Sequence, residues 1–187
     1  MESKILPVEN IIGQIIDDNK SEFVLKSPTQ SVSYSWGDQH ELNAWIIAKD
    51  KEIAGMRAFG GANKTKYPLI WMVTPIDGKL LLRENLFEKI TFIICCDTKA
   101  EWLNSTREKE TMPMLTDLAN TFLEILSQNK NAQIIRKNGQ LDVTFRKVYN
   151  YSTNGKESET VDIWDAIKLT FDLKINTNCL KNLQLCL

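Results

Sequence analysis

The sequence predicts an α+β fold, with an antiparallel or mixed β-sheet flanked by two helices in a single domain. Three observations carry that expectation. Residues 7–18 and 111–128 place apolar side chains at helical spacing, while residues 67–75, 86–98 and 161–175 are apolar runs or period-two alternations of strand length. Helices and strands also follow one another without strict β–α alternation, the pattern of a layered α+β domain. The 187 residues suffice to bury one core without disulfides or metal.

In "PVENIIGQIIDDN", Val8, Ile11, Ile12, Ile15 and Ile16 recur at i, i+3, i+4, i+7 and i+8, and Pro7 suits a first helical turn. "SVSYSWGDQHELNAWIIAKD", residues 31–50, carries Tyr34, Trp36, Trp45, Ile46 and Ile47 around a polar centre, which reads as two strands or a strand and a long loop. "KEIAGMRAFGGANKTK", at about residues 51–66, has weak periodicity, three glycines and the basic Arg57, Lys64 and Lys66. It reads as an exposed insertion.

"YPLIWMVTP" is a nearly uninterrupted apolar strand between Pro68 and Pro75, expected to be central and covered on both faces. "LFEKITFIICCDT" follows, with Phe87, Lys89, Thr91 and Ile93 on one side and Ile90, Phe92 and Ile94 on the other. A polar loop over residues 97–110 leads into the clearest helix, "TMPMLTDLANTFLEILSQN". Leu115, Leu118, Ala119, Phe122 and Leu126 form its stripe, Thr111 is its expected cap, and Pro113 lies in the first turn. "AQIIRK" and "LDVTFRKVYNYS" flank a turn at Asn138–Gly139, as a hairpin would. After a polar turn at "STNGKESE", Ile167, Leu169, Phe171, Leu173 and Ile175 alternate with polar residues as a half-buried strand. Residues 177–187 form a tail with few anchors.

Composition excludes several function classes. Lys and Arg number 23 against 24 Asp and Glu, so no net field gathers nucleic acid or an anionic membrane onto the surface. No apolar run approaches the length of a membrane span, and Pro7, Glu9 and Asn10 interrupt the N-terminal segment before a signal-peptide core forms, so cytoplasmic synthesis is expected. Cys95 and Cys96 are neighbours that point to opposite faces of a strand and cannot chelate one ion. Cys179 and Cys186 have no CxxC spacing. Cys95 is expected to pack as a small apolar residue and Cys96 to sit at the strand end.

The candidate chemistry is thin. "AFGGANKTK" departs from the phosphate-loop pattern, because two residues separate Gly61 from Lys64 and a strand rather than a helix follows. His40, between Asp38 and Glu41, has the intrinsic titration range of a general base but no nucleophile at a defined spacing. The pairs Asp17/Asp18 and Asp162/Asp165 read as solvated turn carboxylates. No catalytic residue, cofactor or metal ligand is assigned. Among five tryptophans, Trp102 stands out in a polar loop with Asn104 and Arg107, the residue types that anchor protein interfaces.

From Tyr67 to Ile175, "YPLIWMVTP", "ITFIICCDTKAEWLNSTRE", "MPMLTDLANTFLEIL", the hairpin and the closing "VDIWDAIKLTFDLKI" follow one another in an order that resembles the tail-terminator and neck-ring (head-tail connector) proteins of tailed bacteriophages. The resemblance implies a non-enzymatic virion protein. Its copies form a ring, typically of six or twelve, that docks on adjacent portal, neck or tail proteins. The genome passes through the lumen without sequence-specific binding. The candidate subunit interface is Trp102, Asn104, Arg107, Arg57 and Lys64, with Arg107 offering a planar fork to a carboxylate across the interface. Two other classes fit the composition: a small hydrolase built on His40 and the Asp162 region, and a monomeric adaptor.

Overall fold

The structure is a computed structural model that describes residues 7–23, 31–58, 66–81, 84–151 and 162–176. In chain order the elements are α1 (Val8–Asp18), a short 3-10 turn (Lys20–Glu22), β1 (Ser33–Gly37), α2 (Gln39–Ala58), β2 (Leu69–Val73), β3 (Asp77–Leu80) and β4 (Glu84–Asp97). There follow α3 (Asn104–Glu110), α4 (Met112–Gln128), β5 (Ala132–Ile134), β6 (Arg136–Lys137), β7 (Gln140–Leu141), β8 (Val143–Tyr151) and β9 (Trp164–Asn176). The α+β class is as predicted. The described residues hold four α-helices, however, not two.

One mixed sheet runs β1-β2-β4-β9-β5, with β3 also on β4 and β8 also on β9. Among the described residues only the β1–β2 pair is parallel. The long strands β4 and β9 lie side by side at the centre, and each carries two shorter strands end to end along its other edge: β2 then β3 on β4, β8 then β5 on β9. Cross-strand partners share a face. Ile70 opposite Ile94, Met72 opposite Phe92, and Leu169 opposite both Phe92 and Phe145 therefore define one side.

The α1 and α4 stripes cover that side and build the main core. Ile12, Ile16, Phe122 and Leu126 are fully buried with Ile70, Met72, Phe92, Ile94, Ile167 and Leu169. Phe92 meets Phe122 edge-on at 4.9 Å and stacks on Phe171 at 5.4 Å between ring centroids. Both helices fall where the apolar period placed them, although Pro7 stands at the N-cap of α1 rather than inside it. Thr111 does not cap α4: its backbone is already helical and its hydroxyl turns inward.

The opposite face has a smaller cluster of Leu42, Ile46, Tyr67, Leu69, Trp71, Cys95, Trp164 and Ala166, covered by α2. Residues 39–50, expected as strand or loop, are the first three turns of this helix, and residues 51–58 of the expected insertion continue it. Asp38 and Glu41 account for its start. The Glu41 amide donates to Asp38 Oδ1 at 2.8 Å and the Asp38 amide to Glu41 Oε2 at 2.7 Å, a reciprocal capping box. Gly37 precedes it at φ 145°, where a Cβ would stand 2.7 Å from the Glu41 Cβ, so the strand-to-helix turn requires glycine.

Strand β2 is central and buried on both faces as predicted, from Leu69 to Met72. In β4 a bulge between Phe87 and Ile90, with Lys89 at φ 53°, shifts the alternation by one, so Phe87 packs on the main core rather than with Thr91 and Ile93. Asp172 compensates for the bulge: its Oδ1 accepts the Lys89 amide at 2.8 Å and its carbonyl accepts the Ile135 amide at 2.9 Å. The turn at Asn138–Gly139 forms with both φ positive, at 53° and 81°. It joins only the two-residue strands β6 and β7, and β5 and β8 each pair with β9 instead of with each other.

Candidate functional site

The segment that follows β4 is predicted from sequence as a polar loop carrying an interface arginine. It contains α3, and Arg107 is 1% exposed, so Arg107 is not a surface residue of this chain. Its Nη1 lies 2.7 Å from Oδ1 of Asp165, itself 0% exposed, and 3.3 Å from Thr98 Oγ1. Nε donates to the Trp102 carbonyl at 3.0 Å, and Nη2 donates to the carbonyls of Lys99 at 2.7 Å and Ala100 at 3.3 Å. Thr111 Oγ1 completes the node by donating to Asp165 Oδ2 at 2.6 Å. The guanidinium fork thus binds the whole 98–102 loop to β9, and a buried ion pair of this kind holds only because its donors are satisfied. Asp165 is therefore no solvated turn carboxylate. Its partner lies 58 residues away in sequence.

The other predicted interface residues scatter. Trp102 is half-buried, with Lys99 Nζ over its ring at 5.5 Å, and Asn104 opens α3 as an exposed residue. Beside them Leu103 is 72% exposed. Arg57 belongs to the last turn of α2, its side chain outside the described residues, as are Lys64 and the rest of 59–65. The tail from 177 and the "STNGKESE" turn are outside them too.

The candidate catalytic groups do not converge. His40 is exposed in the first turn of α2. Asp162 accepts the Tyr67 hydroxyl at 2.6 Å and the Lys66 ammonium at 2.6 Å, and Lys66 also meets Asp50 at 2.6 Å. That cluster ties α2, β2 and the start of β9 together. Burial, chiefly, with the Asp162 carboxylate in support, pushes the Tyr67 hydroxyl far above its ordinary range, so it remains a neutral donor. Cys95 and Cys96 are both buried, on opposite faces, and burial pushes the Cys95 thiol up into the unreactive range. Among the described residues no three His, Cys, Asp or Glu side chains converge to hold a metal ion, and no helix is long and apolar enough to cross a membrane.

The remaining features are surfaces. Strands β1 and β8 lie on opposite sides of the sheet, and neither has a second strand partner among the described residues. Each presents a partly exposed aromatic: Trp36 at 42% on β1 and Phe145 at 49% on β8. Two shallow grooves flank β1. One, of about 510 Å³, runs between α1 and β1 past Gly13, Gln14, Tyr34 and Trp36; the other, of about 350 Å³, runs between β1 and α2 past Val32, Trp45 and Ile53. The Tyr34 hydroxyl donates to the Glu9 carbonyl at 2.9 Å and holds α1 against the strand. Sequence reasoning noted Trp36 but missed Phe145, although its alternation with Val143 marks a strand face. Compared with protein-family models, curated proteins and solved structures, the chain matches none.

Proposed function

We propose that this chain is a non-enzymatic structural subunit of a phage virion that closes into a ring in the neck or tail, as its resemblance to tail-terminator and neck-ring proteins implies. The observation that best supports the reading is that two of the sheet's four strands left open among the described residues, β1 and β8, lie on opposite sides of it and each carries a partly exposed aromatic. A head-to-tail ring needs two different patches on one subunit, placed so that repeated docking turns back on itself. Unpaired strands are templates for pairing with another chain where charge, a bulge or shortness does not blunt them. His40 is exposed on α2 while Asp165 is buried with Arg107, an arrangement that favours the structural reading over the hydrolase one. The test is native mass measurement with negative-stain imaging of the purified protein across a concentration series. Closed rings of uniform copy number are expected, and a monomer at every concentration speaks for the adaptor reading.

A further inference from the structure

From the strand directions and edge charges we infer that the contact between copies is a β-sheet join in which β8 of one copy lies antiparallel on β1 of the next, between its α1 and α2. This rests on the ring reading and names the surface that makes it. Strand sense gives the first argument. β1 is parallel to β2, β2 antiparallel to β4, and β4 antiparallel to β9, so β9 runs with β1; β8, antiparallel to β9, runs against it. A neighbour placed sideways so that its sheet continues this one keeps its strand sense, so its β8 meets β1 in antiparallel fashion, the more stable pairing.

The backbone of β1 is set up to receive a strand. The Ser33 amide bonds inward to the Pro68 carbonyl, and the Gly37 carbonyl accepts the Thr74 amide, so residues 33, 35 and 37 face β2. By the period of two, the amides and carbonyls of Tyr34 and Trp36 point outward, into the gap between the two grooves. Side chains then fall on matching faces. Trp36 is opposite Met72 and Phe145 opposite Leu169, both on the α1/α4 side, so the two aromatics meet on one face of a continued sheet.

Charge selects the partner. The α1 wall and the turn after it carry Glu9, Asp17, Asp18 and Glu22 against Lys20, and the α2 wall of the groove is balanced, with Glu52 against Lys49. The β6–β8 side carries Arg136, Lys137, Arg146 and Lys147 against Asp142, with Glu108 of α3 on Lys147. Pairing β1 with β1 of another copy would bring acidic walls together, whereas β8 brings a basic edge to an acidic one.

The test is cross-linking in the full chain with Cys179 and Cys186 changed to Ser, using Trp36→Cys and Phe145→Cys as separate proteins with a short bismaleimide. A mixture of the two yields covalent dimers, and either protein alone yields none. Trp36→Pro, which removes an outward amide from an exposed position, leaves the circular dichroism spectrum unchanged and reduces assembly at least tenfold. Dimers from Trp36→Cys alone, or rings that persist in Trp36→Pro without mixed cross-links, overturn the β1–β8 join while leaving the ring reading intact. A wild-type protein that never assembles overturns both.

Discussion

The two faces of the sheet are closed by different means. On one, α1 and α4 lay continuous apolar stripes over Ile70, Phe92, Ile94, Ile167 and Leu169, and apart from the buried Arg107–Asp165–Thr111 node the holding force is burial of hydrocarbon. On the other, the 20-residue α2 buries Leu42 and Ile46, with Trp45 set edge-on to Trp71 at 6.4 Å, and the remaining attachment is polar. The Trp71 indole donates to the Gly37 carbonyl at 3.0 Å, and Lys66 links Asp50 to Asp162. Beyond the reach of α2 this face is a wet surface: Thr91 and Thr170 share a hydrogen bond at 3.1 Å and Lys168 is exposed. The contrast predicts that the first face is the more stable and that α2 loosens before it.

The sharpest test of that contrast lies in the largest effects. Phe122→Ala is expected to remove about 3–5 kcal/mol of stability in denaturant unfolding, through lost contact with Phe92 and an unfilled cavity. Arg107→Ala is expected to cost a comparable ~3–5 kcal/mol, because it strands the Asp165 carboxylate in the core. An Arg107→Ala protein as stable as wild type would return Arg107 to the surface and dissolve the node.

A smaller change probes the α2 face. Asp38→Ala removes one half of the capping box and is expected to cost about 1 kcal/mol. Hydrogen exchange should accelerate over residues 39–50 and stay unchanged in α4. Uniform acceleration through both helices would mean that the two faces unfold as one.

The smallest expected effect is a pH dependence at α3. Lys147 and Tyr149 hydrogen-bond to Glu108 and lower its pKa from 4.5, so the stabilisation is present above that value and fades as pH falls through the depressed one. At the other end, Glu108 pushes Tyr149 up to about 12, so its contribution is complete below the ordinary tyrosine value of 10.0 and fades as pH rises through the raised one. The difference in melting temperature between Glu108→Gln and wild type should be flat at neutral pH and shrink toward both limits. A gap that widens in acid would reverse the sign and contradict the contact.

How much of this was legible in the sequence follows from where each signal lies. Helices α1 and α4 and strands β2, β4 and β9 bury whole stripes, so periodicity alone located them. Helix α2 buries too little to leave a stripe. Its signal was the Asp38–Glu41 spacing after Gly37, which is readable but was outweighed by the aromatic, strand-like composition around it. The bulge that reverses Phe87 carries no local mark, because Asp172, which receives its free amide, is 83 residues away. Arg107 was misplaced for the same reason: a charged residue amid polar neighbours reads as solvated until Asp165 is known to lie beside it. The open edges were invisible, since an unpaired strand is a property of topology.

The bulge has a mechanical consequence. The gap between Val73 and Asp77, the irregularity at Phe87–Ile90, and the gap between Ile134 and Val143 all fall at one level, so three of the four breaks in the hydrogen-bond ladder among the described residues lie along a single line across the sheet, the fourth being at Val148–Tyr151. Such a line is a crease. The core bridges it: Ala132, Ile134, Leu173 and Ile175 of the short tip share one apolar cluster with Phe122 and Leu126 of α4 and with Phe92 and Ile94 on the far side. Asp172, bonding Lys89 with its side chain and Ile135 with its carbonyl, is the rivet through the crease, where the ladder's own bonds are missing.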